Sequence, residues 1–415
     1  MPRHLLTNRT FVLLAIGQTC SNAGLWISIF SIALAVRSLS GSDFQLGLVA
    51  LVRAMPMIAF SLIGGGLADR IDRRRMLSVT QPASALILAG VAISFTVVVP
   101  TDRQVILLFL ATAAIGMTGA FDVPAVQASV PTIVGKDNLV RALGVLVLSR
   151  QVSSIVSPAA AGLVIGVFGF GAAFALAASM YLIFTVILQL IRWQSQPVQR
   201  SSTGLLHSIG EGIRYAWATP IILGLLLMDF VATLFAQPNA FVIIIGQDVL
   251  HLEPAQIGIL ATGFPVGAIA GGLALGALPG RLPATIRTVV VSTALYGTGI
   301  ILFGFSPTFA LSFAALVMMG VADVVSETLR STMLQLSVPD ELRGRVTSLM
   351  LIFVRGGPNL GQFRAGAISG LAGPVFSAVS GGLLCIVSVL LLGRWMMRHA
   401  TPRSEASMLA VEEVR

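Results

Sequence analysis

The 415-residue chain has little charge, few cysteines and almost no lysine. Only 10% of its residues are charged, against the roughly one-quarter that is typical of soluble domains. Its two cysteines, Cys20 and Cys385, lie far apart within apolar segments, which excludes a disulfide framework and a cysteine-based metal site. The ATP-binding P-loop pattern, clustered histidines and a nucleophilic triad are also missing. We therefore expect a protein that is not an enzyme and that needs no cofactor or metal.

Apolar residues dominate instead. They make up 56% of the chain, and the mean hydropathy is +0.92. Apolar stretches of about 20 residues recur along the sequence, which is the length that an α-helix needs to cross a bilayer. The sequence predicts an all-α integral membrane protein whose twelve spans cover residues 11–36, 44–68, 76–99, 104–129, 139–166, 168–191, 219–246, 255–279, 285–306, 308–335, 345–371 and 374–397.

The positive charge is distributed unevenly between the predicted loops. The net charge is +9, which alone would allow nucleic acid as a partner. Most arginines, however, fall in the termini and in alternate loops on one side, whereas only Arg37 and Arg103 fall in loops on the other. This asymmetry follows the positive-inside rule. It predicts cytoplasmic termini in a bacterial inner membrane, and no nucleic-acid partner.

One long polar stretch divides the spans into six and six. It predicts a bundle over residues 1–191, a cytoplasmic linker over 192–218, a second bundle over 219–400 and a cytoplasmic tail over 401–415. The two halves also match weakly, as duplicated transporters do. At a constant offset of 211 residues, the residues Gln45, Gly47, Gly65, Leu67 and Arg70 match Gln256, Gly258, Gly276, Leu278 and Arg281.

A glycine-rich helix end followed by an acid and a basic cluster comes after the second span. The segment from Gly65 to Arg75 contains Asp69 and Arg70, followed by Arg73 and Arg74. It resembles motif A of the major facilitator superfamily, Gly-x-x-x-Asp-Arg-x-Gly-Arg-Arg/Lys. Asp72 departs from that pattern, because it stands where the pattern has its second glycine.

The resemblance extends along nearly the whole chain, through Phe121 and Pro124, through Ser157, Pro158 and Gly162, and through the segment from Thr332 to Val346. These segments are similar to the drug and siderophore efflux branch of that superfamily. The resemblance implies twelve helices in two pseudo-symmetric six-helix bundles. It also implies that Asp69 lies near the N-terminus of the eleventh helix. The implied gating residues are Gly65, Asp69, Arg70, Arg73, Arg74, Asp122, Arg343 and Arg345.

Four acids lie within the predicted spans, where a charge is costly unless it faces a cavity or a partner. Asp122 either completes a charge network with Asp69 and the motif arginines or acts in transport itself. Asp323 and Glu327 share a helix face, and Glu327 is also well spaced to pair with Arg330. Asp229 has no basic residue nearby in the sequence. We expect it to carry a proton or contact a cation, unless it only faces the aqueous mouth of a cavity.

Embedded arginines stay charged and must be neutralised or solvated. Arg364 lies within a span, so it either pairs with an embedded acid or meets an anionic substrate, and Arg355 lies on roughly the same helix face. Arg150 belongs to the same class. In the first span, Gln18, Asn22 and Trp26 form a helical stripe that either lines a substrate pathway or holds helices together.

The sequence therefore predicts a monomeric secondary exporter of small amphipathic molecules of the drug or siderophore type. We expect it to work by alternating access in contact with membrane lipid, with a proton gradient as its energy source. A lysophospholipid or other lipid flippase of the same fold is the alternative. A transport-inactive sensor is a third possibility, which the short polar tail disfavours.

Overall fold

The structure is a computed structural model of the chain. It describes residues 8–68, 72–135, 137–191, 214, 217, 219–277, 282–338 and 340–399. Side chains are described for all of these except residues 61–68, 340, 341, 343–345, 347, 348, 351, 352 and 355. Every regular element within the described ranges is an α-helix, as the sequence predicts. The fold class is therefore confirmed as all-α.

The chain divides into two compact units. The first unit contains the described residues of Met1–Arg200 together with Leu252–Thr262, and the second contains those of Ser201–His251 and Gly263–Arg415. Assignment of residues 252–262 to the first unit was not predicted from the sequence. Of the predicted linker, residues 192–218, only Arg214 and Trp217 are described, and the predicted tail, residues 401–415, lies outside the described residues.

The first unit consists of six helices. They are α1 (Arg9–Ser40), α2 (Asp43–Ala68), α3 (Arg73–Ser94), α4 (Thr101–Val134), α5 (Leu139–Leu190) and the short α8 (Pro254–Ala261). Their ends follow ordinary capping chemistry. Asn8 accepts a hydrogen bond from the main-chain N–H of Phe11 at the start of α1, and Gly41 ends that helix with a positive φ of 64°.

Seven helices are given by bounds among the described residues of the second unit. They are α6 (Pro220–Ala236), α7 (Pro238–Asp248), α9 (Gly263–Ala277), α10 (Ile286–Gly304), α11 (Phe309–Ser337), α12 (Asp340–Ala372) and α13 (Pro374–His399). The side chains of Thr285 and Thr308 cap α10 and α11 by accepting main-chain N–H bonds.

Three interruptions relate these helices to the predicted spans. α5 bends at Gly169, whose φ of 81° and ψ of 176° are not helical, so its two arms correspond to the predicted fifth and sixth spans. The predicted seventh span is broken at Gln237, because Pro238 lacks the N–H that would continue α6. The predicted eighth span is broken at Thr262, between α8 and α9.

Ten stretches of the described residues are long and apolar enough to cross a membrane. One of them is the bent 52-residue α5, which supplies two crossings, and α12 is a further long helix that contains more polar residues. The described helices are therefore consistent with the predicted twelve crossings. Large apolar side chains such as Leu86, Phe168 and Leu371 are exposed, as expected for surfaces that face lipid.

Glycines hold the helices of the first unit close together. A Cβ added to Gly116 of α4 would collide with the main-chain oxygen of Arg53 on α2. α5 and α8 approach through Gly162 and Gly258, where a Cβ on Gly162 would lie 3.0 Å from the Cα of Gly258. Close backbone approach through small residues is the usual way in which membrane helices gain packing energy.

The second unit uses the same device. An added Cβ on Gly267 of α9 would strike the main-chain oxygen of Val317 on α11, and one on Gly320 of α11 would strike that of Phe264 on α9. The contact is reciprocal, so neither glycine can be enlarged without separating the two helices.

Candidate functional site

A carboxyl group in the first unit is held by neutral side chains. Asp122 on α4 accepts hydrogen bonds from the hydroxyl of Thr80 and, at 2.9 Å, from Nε2 of Gln81, both on α3. The Oε1 atom of Gln81 accepts a further bond from Ser21 on α1 at 3.0 Å. Gln81 is fully buried. This connected set of bonds, the Asp122 network, therefore links three helices to one carboxylate.

The described motif arginines donate to main-chain oxygens. Arg73 is buried and donates through Nη1 to Ala128 on α4 at 2.6 Å. Arg74 donates through Nε and Nη2 to Leu188 at 3.3 and 3.2 Å. Leu188 lies in the last turn of α5, where carbonyl oxygens lack helical partners.

The interpretation that joined Asp122 to the motif arginines is therefore wrong for the arginines that the structure describes. Arg73 and Arg74 neutralise helix-end and main-chain dipoles instead, while Asp122 bonds only to neutral groups within the described part of the chain. Asp69, Arg70 and the side chains of Arg343, Arg345 and Arg355 lie outside the described residues. Gly65 is described only by its backbone in α2.

Asp229 and Arg330 form an ion pair in the second unit. The Nη2 atom of Arg330 on α11 lies 2.6 Å from Oδ1 of Asp229 on α6. Both side chains are largely buried, with relative exposures of 7% for Arg330 and 14% for Asp229. The lack of a nearby base in the sequence was therefore misleading, because the partner comes from a helix 101 residues away.

The same arginine lies in a larger polar cluster. Its Nη1 atom is 3.5 Å from Oγ of Ser326, and that hydroxyl is 2.7 Å from the hydroxyl of Thr293 on α10. Asp323 lies close enough to interact electrostatically with Arg330, Asp229 and Glu327. The pairing of Glu327 with Arg330 that their spacing favoured is wrong, since Glu327 is exposed and the guanidinium turns inward to Asp229.

Arg364 bonds to the backbone rather than to an acid. Its Nη2 atom donates to the main-chain oxygen of Phe235 on α6 at 2.7 Å and lies 3.4 Å from that of Ser377 on α13. The guanidinium carbon is 5.9 Å from the centre of the Phe235 ring. Within the described residues, no carboxylate contacts Arg364. Of the two alternatives for Arg364, pairing with an embedded acid is therefore wrong among the described residues, because the end of α6 supplies free carbonyl oxygens nearby.

Polar groups gather where α6 ends and α7 begins. Gln237 separates the two helices, and its Oε1 atom lies 3.5 Å from the hydroxyl of Tyr296 on α10. α12 packs against this break through Gly361, which leaves no room for a side chain beside the oxygen of Thr233. Gly381 on α13 is likewise required, because a Cβ there would strike the Arg364 guanidinium and the Phe235 oxygen.

Two of the three polar residues in the stripe on the first span are hydrogen-bonded to each other. The Nε2 atom of Gln18 donates to Oδ1 of Asn22 at 3.3 Å, and Trp26 is half-buried. The Oε1 atom of Gln18 is buried without a described hydrogen-bond donor. Arg150 is exposed on α5.

Sequence reasoning missed several of these contributors. Thr80 and Gln81 are ordinary polar residues, and only their place in an otherwise apolar span could have singled them out. An ion pair that was not predicted joins the end of α1 to the start of α2. The Nε atom of Arg37 lies 2.5 Å from Oδ1 of Asp43. No three His, Cys, Asp or Glu side chains in the described ranges lie close enough together to hold a metal ion.

Comparisons with known proteins agree with this architecture. The family model described as "Transmembrane secretion effector" matches residues 4–413. The enterobactin exporter EntS of Escherichia coli O1:K1 is 26% identical over 393 residues, which cover 94% of this chain and 92% of the exporter.

Solved transporter structures share the fold. An inward-facing bacterial homologue of the human lysosomal transporter Spinster aligns with a TM-score of 0.73 at 16% identity, covering 95% of this chain and 99% of its own. The nucleoside transporter NupG aligns with a TM-score of 0.72 at 13% identity, covering 94% and 98%. Since the family model spans nearly the whole sequence, the chain belongs to the transmembrane secretion effector family of the major facilitator superfamily and is a multi-pass membrane transporter rather than an enzyme.

Proposed function

We propose that the chain exports a small molecule of the siderophore or drug type across the bacterial inner membrane by alternating access. The observation that carries this proposal is the similarity to an enterobactin exporter along 94% of the chain, which includes both units. A match of that extent supports a shared transport task, whereas the more distant structural similarities support the fold alone.

We further propose that proton entry drives export and that Asp122 carries the proton. A carboxylate inside a membrane protein is costly when ionised, and its described hydrogen-bond partners, Thr80 and Gln81, bring no compensating charge. The two motif arginines with described side chains, Arg73 and Arg74, donate to main-chain oxygens. Asp229 supports this assignment less well, because its carboxylate already has a positively charged partner in Arg330.

The orientation is part of the same proposal. The concentration of arginines in alternate loops supports cytoplasmic termini, and cargo would then enter from the cytoplasm. We propose that the transporter acts as a monomer on an amphipathic substrate in contact with lipid.

Uptake of enterobactin into inverted membrane vesicles tests the function. Vesicles that contain the unmodified protein should accumulate enterobactin when the interior is acidified, and a protonophore should abolish that accumulation. Accumulation that ignores the proton gradient would contradict proton antiport and would direct attention to lipid cargo.

Asp122→Asn separates coupling from binding. The amide mimics a permanently protonated carboxyl group, so gradient-driven uptake should fall at least tenfold while exchange of labelled for unlabelled enterobactin continues. Asp102→Asn is the matched control, because Asp102 is an exposed acid in the first turn of the same helix. Full gradient-driven uptake by Asp122→Asn would exclude Asp122 as the proton carrier.

A further inference from the structure

The Arg364 guanidinium has more hydrogen-bond donors than the described residues satisfy. Its Nη2 atom is used by the oxygens of Phe235 and Ser377. Its Nε and Nη1 atoms are buried, and neither has a hydrogen-bond acceptor among the described residues. These two nitrogens carry three of the five N–H donors of an arginine side chain. A buried donor without an acceptor is destabilising, so its retention requires an explanation.

The described residues supply no counter-charge either. Arg330, the other embedded arginine of the second unit with a described side chain, has a carboxylate at 2.6 Å. Among the described residues, Arg364 meets carbonyl oxygens and the face of the Phe235 ring. Carbonyl dipoles and an aromatic ring offset part of the cost of a buried guanidinium but supply no counter-charge. An anion that binds beside Arg364 would supply the missing charge and a missing acceptor.

The surroundings are arranged to keep the guanidinium in place. Gly381 leaves the space that the guanidinium occupies, and the break at Gln237 frees the Phe235 oxygen that holds it. Its position is thus fixed by contacts with α6 and α13, while Nε and Nη1 take no part in that support. A ligand could therefore bond to Nε or Nη1 without breaking the contacts that hold the guanidinium.

We propose that Arg364 is an anion-binding residue that holds the carboxylate of a small organic acid. A single buried positive charge matches the single charge of a carboxylate better than the charge of about −1.5 to −2 on a phosphate group. The Nε and Nη1 donors lie on different edges of the guanidinium, so a charge-assisted hydrogen bond from one of them would hold a carboxylate oxygen. As a statement about cargo this rests on the proposed export function, whereas the binding site itself does not.

Binding of a matched ligand pair to the purified full-length protein tests the site. The pair is 2,3-dihydroxybenzoate and its methyl ester, which differ in the negative charge and share the ring. The unmodified protein should bind the acid roughly ten- to a hundredfold more tightly than the ester, as expected for charge-assisted hydrogen bonds. Arg364→Gln should abolish that preference and leave ester binding unchanged.

Three further variants complete the test. Arg364→Lys keeps the charge but lacks the planar donor set, so it should fold and show a preference reduced severalfold. Gly381→Ala adds a methyl group where the guanidinium lies and should also reduce the preference. Arg398→Gln, at an exposed arginine in the last turn of α13, should change neither affinity.

Other results would overturn the site. The first is that the unmodified protein binds the acid and the ester equally. The second is that Arg364→Gln keeps the preference for the acid. The third is that Arg364→Gln and Arg364→Lys lose equal affinity for both ligands.

Vesicle transport of the same pair separates this inference from the export proposal. Equal transport of acid and ester by unmodified and Arg364→Gln protein would leave export standing and contradict the site. A binding preference for the acid without transport of either ligand would leave the site standing and contradict the export proposal.

Discussion

Asp229 of α6 and Arg330 of α11 form a largely buried ion pair, with 2.6 Å between Oδ1 and Nη2. Removing one member leaves the other charged and buried, which costs about 3–5 kcal/mol in measured cases. We therefore expect Asp229→Asn to lower the thermal unfolding temperature of the detergent-purified protein markedly. The double variant Asp229→Asn with Arg330→Gln should recover much of the loss, because neither charge then remains. A double variant that is less stable than Asp229→Asn alone would contradict this account.

Gln81 bonds at both ends of its amide, to Ser21 and to Asp122. Gln81→Leu keeps a similar size but removes a donor and an acceptor together. We expect a loss of roughly 1–3 kcal/mol in the free energy of unfolding, because two buried polar groups lose a partner. Thermal unfolding measures it, with Gln335→Leu as the control at an exposed glutamine. Equal stability of the two variants would show that the Asp122 network contributes nothing to stability.

The reciprocal glycine contact between α9 and α11 leaves no room for a larger residue. Gly320→Val should destabilise the second unit by about 1–3 kcal/mol, since overpacking forces helices apart. Gly90→Ala is the matched control, because Gly90 is exposed and an added Cβ there meets nothing within 4 Å. It should be neutral or stabilise α3 by up to about 1 kcal/mol through helix propensity. The yield and unfolding temperature of the folded protein distinguish the two variants.

Asp72 accepts a hydrogen bond from the main-chain N–H of Arg74 at 2.9 Å and caps α3. Asp72→Ala should cost about 1 kcal/mol, whereas Asp72→Gly, which restores the glycine of motif A, should cost only a few tenths. Chemical denaturation of the purified protein measures both values. A glycine variant as unstable as the alanine variant would indicate that the aspartate has another structural role.

Much of the fold could be predicted because lipid imposes a simple rule of length and hydropathy. The predicted spans agree with the helices, and the proline at 238 gave a local reason for the break after α6. The bend at Gly169 was consistent with a boundary between two predicted spans. The break at Thr262 had a similar signal, because Pro265 lacks the N–H that would bond the main-chain oxygen of Ala261.

The site was less predictable because its contacts join distant segments. The spacing of Glu327 and Arg330 suggested a local pair, but tertiary packing offered Arg330 a more buried acid on α6. Gln81 gave no signal of its own, since its role depends on Ser21 and Asp122 lying on two other helices. Local sequence favours neighbours in the chain, whereas buried charges select partners in space.

Three arginines with described side chains, Arg73, Arg74 and Arg364, donate hydrogen bonds to main-chain oxygens. A main-chain oxygen is present whatever side chain its residue carries. The residues at Ala128, Leu188 and Phe235 are therefore free to change during evolution without breaking these bonds. In an alignment of relatives, such arginines would stay constant while no acidic position varied in step with them. Covariation methods, which depend on paired changes, would overlook all three attachments.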